Sequence, residues 1–200
     1  MTAGLPETTA LPPGAAHSGA ADSGAEGARL SCAWVFAYGS LLWNPGFTFR
    51  ERQRAIVRGY HRSLCIFSHV HRGTAEVPGL VLGLDRGGSC VGAAYRVDER
   101  QWPETLSYLR AREQVTPIYK EASLSIRTED GRNVSAIAYV ADRAHHQYAG
   151  RLAYEDLERL VRQGAGVSGR NVDYVLNTHE HLVHMGIRDP SLAYLAARLK

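Results

Sequence analysis

Cysteine is scarce in this sequence, and no cysteine has a partner at the spacing of a shared site. The 200 residues contain three cysteines, Cys32, Cys65 and Cys90, which lie far apart along the chain. Because no Cys-x-x-Cys pair occurs, the sequence offers neither a cysteine-based zinc site nor a disulfide framework. We therefore expect a reduced, cytoplasmic environment, with Cys65 and Cys90 packed in strands as small apolar side chains.

Long apolar runs and basic clusters are absent as well. No segment approaches the roughly 18 consecutive apolar residues that a membrane-spanning helix needs. The net charge is +3 and the lysines and arginines are scattered, whereas nucleic-acid-binding proteins usually carry a basic face or stripe. These absences predict a protein that uses neither a membrane nor a nucleic acid as a partner.

Aromatic residues are missing from residues 1–30, which are rich in alanine, glycine, serine, threonine and proline. Such a segment cannot bury enough apolar surface to offset the entropy lost on ordering. It also lacks the charged start and apolar core of a secretory signal. We therefore expect a disordered tail over residues 1–30 and one domain over residues 31–200.

The rest of the sequence predicts strands first and helices last. Runs rich in β-branched and aromatic residues, with turn residues between them, predict strands at residues 33–38, 55–61, 63–70, 80–84, 90–97, 119–127 and 134–140. A hairpin turn is predicted at residues 85–88. Helices are predicted from Pro103 and over residues 154–163, 170–185 and 190–200, the last two capped by Ser168 and Asp189. This order indicates an α+β domain whose short strands could close into a small barrel.

One apolar stretch, Trp34–Trp43, contains a turn whose residues are suited to holding an anion. The strand stops at Tyr38, and Gly39 and Ser40 follow with consecutive backbone N–H groups. Successive N–H groups in a turn form a concave positive nest, and a residue without a Cβ lets another group come close. The alternative is a core strand that ends in an ordinary turn.

A carboxylate occurs on the apolar side of the first predicted helix. Leu106 and Leu109 are three residues apart, and Glu113 lies seven residues after Leu106, so all three share one helix face. Burial disfavours a charged carboxylate and raises its pKa, which suits a group that accepts and returns a proton near neutral pH. The alternative is an ion pair with Arg110 or Arg112.

Histidines near the end of the chain also suggest a metal site. His179, His181 and His184 occupy positions that resemble the metal-binding H-x-H-x-D-H segment of metallo-β-lactamases, but Val183 stands at the aspartate position. On a helix, His179 and His181 would not share a face. We therefore predict no metal at this segment, and a polar helix face instead.

Several segments together resemble a known family. Val35–Trp43 resembles the opening signature of the ChaC family, the glutathione-specific gamma-glutamylcyclotransferases. Further segments agree in the same order over roughly residues 33–199, namely 60–62, 71–74, 78–85, 92–97, Arg112-Glu113, Tyr119, 168–171 and Tyr174. A lone Tyr-Gly-Ser would be weak evidence, but the ordered set is specific.

The resemblance implies a small mixed β-barrel with flanking helices and a reaction that needs no cofactor or metal. Glutathione would be cleaved to 5-oxoproline and cysteinylglycine by attack of its own α-amine, with Glu113 as the acid–base residue. The implied substrate-binding residues are Val35, Phe36, Ala37, Tyr38, Gly39, Ser40, Leu41 and Tyr119. Two other functions stay open: cyclotransfer on a different γ-glutamyl amide, and non-enzymatic regulation of cation transport.

The sequence departs from this family in two places. Ala37 stands where many relatives have glycine, and residues 114–118 lack the glycines that relatives often carry there. Pro117 would stiffen this loop, which shapes the pocket for the leaving dipeptide. The departures therefore affect the expected choice of substrate more than the expected type of reaction.

Overall fold

Within the described residues, the strands and helices begin at Trp34 and end at Leu199. The computed structural model describes residues 34–113 and 117–200; the predicted tail and Gln114 to Thr116 lie outside the described residues. In chain order the elements are β1 (Trp34–Ala37), a short 3-10 helix (Ser40–Leu42), β2 (Glu51–Ser68), β3 (Gly79–Arg96), α1 (Trp102–Glu113), β4 (Tyr119–Thr128), β5 (Asn133–Ala141), α2 (Tyr154–Gln163), β6 (Ala165–Gly166), β7 (Gly169–Arg170), α3 (Asn171–His184) and α4 (Pro190–Leu199).

Five of these strands close into a barrel in the order β1-β3-β2-β4-β5. Most neighbours are antiparallel, but β1 and β5 pair in parallel, with Val35 opposite Ile137. Apolar side chains of the strands form the core of the protein, among them Phe36, Leu84 and Tyr95, which are almost completely buried. The predicted α+β fold with a small mixed barrel is therefore confirmed.

The two longest strands correct the sequence prediction. Residues 55–61 and 63–70 were predicted as separate strands, and residues 85–88 as a hairpin turn, but β2 and β3 each run for 18 residues. The ladder pairs Arg58 with Ser89 and Tyr60 with Arg86, so two residues of β3 oppose one residue of β2. Gly87 and Gly88 have positive φ angles of 103° and 68°. They form a bulge inside a continuous ladder rather than a turn.

The helices follow the prediction more closely, apart from one cap. The helix from Pro103 is present, and the Asp189 side chain caps α4 by accepting a hydrogen bond from the Leu192 N–H. Ser168 does not cap α3, which begins at Asn171 without a side-chain cap. The Ser168 hydroxyl lies 2.9 Å from the His71 ring instead, because the short β6–β7 ribbon directs it away from the helix.

Helix α3 is attached to β3 through a buried amide. The Asn171 side chain is fully buried, accepts from the Leu80 N–H at 2.6 Å and donates to the Leu80 carbonyl at 2.7 Å. The amide therefore binds both backbone hydrogen-bonding groups of Leu80, as a neighbouring strand would.

Cys65 and Cys90 are buried in β2 and β3 with free thiols, as predicted. None of the helices in the described residues is both long and apolar enough to cross a membrane.

Candidate active site

The turn that follows β1 is held by side chains from β2 and β3. The Tyr95 hydroxyl donates to the carbonyls of both leucines of the 3-10 helix, at 3.1 and 2.9 Å. The Arg62 Nε donates to the Tyr38 carbonyl at 2.5 Å. A Cβ on Gly39 would meet only Leu82, at 3.9 Å. The space beside Gly39 is therefore left open by the protein itself.

The side chain of Glu113 ends α1 on its buried side, as predicted. Leu109 and Thr105, one and two turns earlier, are the buried residues of this helix. The Glu113 side chain is 17% exposed, and Arg112 lies 3.3 Å from its carboxylate. Burial raises the pKa of Glu113 above its ordinary value, and the Arg112 charge offsets this increase only in part. Arg110 pairs with Glu121 instead.

Two tyrosines beside Glu113 are bound to one strand residue. The Tyr119 hydroxyl donates to the Leu82 carbonyl at 2.8 Å, and the Leu82 N–H donates to the Tyr174 oxygen at 3.2 Å. The two hydroxyls therefore bind the backbone N–H and carbonyl of Leu82, the groups that a neighbouring strand would otherwise bind. Burial raises the pKa of Tyr174 to about 12 and that of Tyr119 well above its usual value. Both phenols therefore stay protonated at neutral pH.

Two cavities meet at Glu113. The inner cavity is about 50 Å³ and is lined by Phe36, Tyr38, Gly39, Ser40, Leu41, Leu82, Glu113, Tyr119, Tyr139 and Tyr174. The outer cavity is about 470 Å³ and is open on one side; Ser40, Glu113, Tyr119 and Tyr174 line it as well. Its wall also carries the cationic side chains of Arg72 and Arg112. A small molecule can therefore reach the Glu113 carboxylate from the outer cavity and extend past it into the inner one.

The structure brings together most of the residues predicted to bind substrate. Phe36, Tyr38, Gly39, Ser40, Leu41 and Tyr119 all line the inner cavity. Val35 and Ala37 are completely buried in β1 and line neither cavity. Sequence reasoning assigned no role to Leu82, Tyr139 and Tyr174, although Leu82 and Tyr174 belonged to segments that resembled the ChaC family. None of the segments that resemble the family includes Tyr139, which reaches this cavity because the barrel closes.

The histidines considered as metal ligands lie on a helix. His179, His181 and His184 all belong to α3, rather than to a strand and its following loop. The His181 ring stacks on the Trp43 ring with centroids 4.6 Å apart. Within the ranges 34–113 and 117–200, no group of three or more histidine, cysteine, aspartate or glutamate residues is placed to hold a metal ion.

The closed mixed barrel with its flanking helices is the fold of solved gamma-glutamylcyclotransferases. A crystal structure of a yeast gamma-glutamyl cyclotransferase specific to glutathione superposes with a TM-score of 0.76 at 20% identity, covering 83% of this chain and 94% of that one. Residues 33–200 match the family model described as ChaC-like protein. The chain belongs to the ChaC-like family.

Two curated relatives agree with this assignment. The glutathione-specific gamma-glutamylcyclotransferase of Escherichia coli K12 is 34% identical over 167 residues, which cover 84% of this chain and 72% of that protein. The gamma-glutamylcyclotransferase 2-3 of Arabidopsis thaliana is 31% identical over 177 residues, covering 84% of this chain and 88% of that protein. Both alignments extend over most of the described residues.

Proposed function

We propose that this protein is a glutathione-specific gamma-glutamylcyclotransferase, which converts glutathione to 5-oxoproline and cysteinylglycine. The observation that carries the proposal is the Glu113 carboxylate, buried where the two cavities meet and with its pKa raised by burial. Relatives at 34% and 31% identity are named gamma-glutamylcyclotransferases. A reaction within one substrate molecule requires a folded-back substrate, a base and polar groups that stabilise developing charge.

Glu113 acts as the acid–base residue in this reaction. The α-amine nitrogen of the γ-glutamyl group attacks the γ-carbonyl carbon, and the bond from that carbon to the cysteine nitrogen breaks. Overall, two protons pass from the attacking nitrogen to the leaving nitrogen, which departs as the ammonium group of cysteinylglycine. The carboxylate accepts a proton from the first nitrogen and returns one to the second, a role that favours a pKa near the working pH.

The γ-glutamyl end of the substrate binds in the inner cavity. Backbone N–H groups of Gly39, Ser40 and Leu41 hold its α-carboxylate, because the first N–H groups of a helix have no acceptor within the helix. Phe36 and Tyr38 form the adjacent wall. Val35 and Ala37 contribute by fixing β1, since neither lines a cavity. These backbone contacts recognise the part that all γ-glutamyl compounds share.

The cysteinylglycine part occupies the outer cavity. Its volume of about 470 Å³ falls within the roughly 300–1,000 Å³ typical of small-molecule sites. The leaving dipeptide carries a carboxylate, and Arg72 and Arg112 are the arginines in this wall. Arg112 already contacts Glu113, the Ser40 hydroxyl and the Asn44 carbonyl. Tyr119, at the junction of the cavities, faces the bond that breaks.

Neither a cofactor nor a metal takes part in this scheme, because the nucleophile belongs to the substrate. We also propose a cytoplasmic location, without a membrane or nucleic acid as partner. The buried free thiols of Cys65 and Cys90 and the scattered basic residues support this view. The proposed domain covers residues 31–200 and includes the whole family match.

The test is incubation of the purified protein with glutathione, followed by assay of 5-oxoproline and cysteinylglycine. We expect the two products in equal amounts. Turnover of another γ-glutamyl amide, with glutathione left intact, would favour a cyclotransferase of different specificity. Absence of 5-oxoproline from both kinds of substrate would contradict an enzymatic role and favour the regulatory alternative.

A further inference from the structure

A buried arginine connects the turn after β1 to the start of the last helix. The Arg62 side chain is 4% exposed and forms an ion pair with Asp189 at 3.1 Å. It also donates to the Tyr38 carbonyl at 2.5 Å and to the Val91 carbonyl at 2.7 Å. Arg62 touches neither cavity. Its three acceptors therefore fix the orientation of the guanidinium group. Arg62 can influence the site only through the Tyr38 carbonyl, which it binds.

The carbonyls of this turn differ in the groups that donate hydrogen bonds to them. The N–H groups of Gly39, Ser40 and Leu41 belong to peptides whose carbonyls are those of Tyr38, Gly39 and Ser40. The Gly39 carbonyl accepts from the Leu42 N–H at 2.9 Å, and the Ser40 carbonyl accepts from the Asn44 N–H at 3.0 Å. Both are therefore held by the backbone of the turn itself. The Tyr38 carbonyl alone is held by a distant side chain, the buried arginine.

In a trans peptide the carbonyl and the N–H point in opposite directions. When Arg62 holds the Tyr38 carbonyl, it also directs the Gly39 N–H away from itself. Gly39 lines the inner cavity. We propose that Arg62, fixed by Asp189, is a positioning residue that aims the Gly39 N–H at the substrate α-carboxylate. This inference rests on the proposed function and adds residues that do not contact the substrate.

The two oxygens of Asp189 allow this role to be separated from helix capping. One oxygen accepts from the Leu192 N–H at 3.1 Å and caps α4, and the other pairs with Arg62. Asparagine is also a good N-cap residue. Asp189→Asn therefore keeps the cap of α4 but removes the charge that fixes the arginine.

We expect Asp189→Asn to raise KM about tenfold, since one oriented hydrogen bond to a charged group is weakened. The kcat value should stay nearly unchanged, because the carboxylate is bound alike in the ground state and the transition state. The factor should be the same for glutathione and for a γ-glutamyl amino acid. A merely structural role would lower the active fraction, and hence kcat, without changing KM.

Glu158→Gln is the matched control. It breaks the ion pairs of Glu158 with Arg198 of α4, at 2.5 Å, and with Arg162, at 2.9 Å, and Glu158 lines neither cavity at Glu113. We expect KM to stay at the wild-type value in this variant. Arg62→Lys is the second test, because lysine keeps the charge but lacks the planar fork that reaches several acceptors. It decides the question if Asp189→Asn does not accumulate as folded protein.

Product inhibition measures binding of the α-carboxylate separately from the catalysed reaction. 5-Oxoproline retains the former α-carboxylate, whereas its amide lacks the charge. We expect Asp189→Asn to raise the inhibition constant of 5-oxoproline by the same factor as KM and to leave that of the amide unchanged. If wild-type protein turns over glutathione and both Asp189→Asn and Arg62→Lys keep the wild-type KM, the positioning role is wrong. If wild-type protein forms no 5-oxoproline, the proposed function itself fails.

Discussion

The two cavities that meet at Glu113 differ in size and in the way their polar groups are held. The inner cavity is about 50 Å³, and hydrogen bonds to neighbouring protein groups fix its tyrosine hydroxyls, as that of Tyr38 is fixed by the Tyr139 carbonyl at 2.8 Å. The outer cavity is about 470 Å³ and carries long side chains such as Arg72. A small cavity with fixed groups accepts one shape, whereas a larger one with long side chains tolerates several. Substrate class should therefore depend on the inner cavity, and preference within the class on the outer one.

The largest effect is expected where the cavities meet. Glu113→Gln keeps the size of the side chain but removes the proton acceptor, so turnover should fall by about a hundredfold or more. The loss should be similar for glutathione and for a γ-glutamyl amino acid, because both need the same proton transfer. Glu104→Gln, at the exposed start of the same helix, is the control. Near-wild-type turnover of Glu113→Gln would remove this residue from the mechanism.

The pH dependence should carry the signature of the same carboxylate. Burial raises the pKa of Glu113, so its base form is lost at a higher pH than for an ordinary glutamate near about 4.3. The acidic limb of the kcat/KM profile should therefore lie above that value, with activity falling as the pH drops through the raised pKa. A profile that stays flat down to the ordinary glutamate value would contradict the desolvated environment.

A smaller effect on every substrate is expected from the inner cavity. In Gly39→Val the new Cβ would meet only Leu82, at an ordinary contact distance of 3.9 Å, so the variant should fold. Its branched side chain would occupy space needed by the α-carboxylate, and kcat/KM should fall about tenfold or more for all γ-glutamyl substrates. Gly39→Ala should lose less. Loss of activity on glutathione alone would show that the γ-glutamyl end binds elsewhere.

The outer cavity should instead change the preference between substrates. Arg72 lies over the Tyr174 ring at 5.2 Å, and Arg72→Met keeps an apolar chain there while removing the charge. Activity on glutathione should fall about tenfold, the value of one charge-assisted contact, with a smaller loss on a γ-glutamyl amide that lacks a terminal carboxylate. Arg58→Met, at an exposed position of β2, is the control. Equal losses on both substrates would contradict the division between the cavities.

The sequence predicts some parts of this site better than others. The turn at Tyr38 and the buried position of Glu113 depend on neighbouring residues, so periodicity and a short motif suffice to find them. Tyr174 and Leu82 come together because a helix residue, and not a second strand beside β2, takes the Leu82 N–H, and no local pattern reveals this pairing. Gly87-Gly88 carries a local turn signal, and only the pairing with β2 turns it into a bulge.

The smallest effect is expected from removing metal ions. The proposed nucleophile belongs to the substrate, and the histidines of α3 have other surroundings: His181 stacks on Trp43, which lines the outer cavity. Residues two apart on a helix point to different sides, so His179 and His181 do not share a face. Turnover should therefore survive exhaustive chelation. His181→Phe preserves an aromatic stack on Trp43 and should keep turnover within about twofold of wild type, as expected for a packing role. Zinc bound in a one-to-one ratio, and lost together with activity on chelation or in His181→Phe, would restore the metal hypothesis and overturn the role assigned to Glu113 alone.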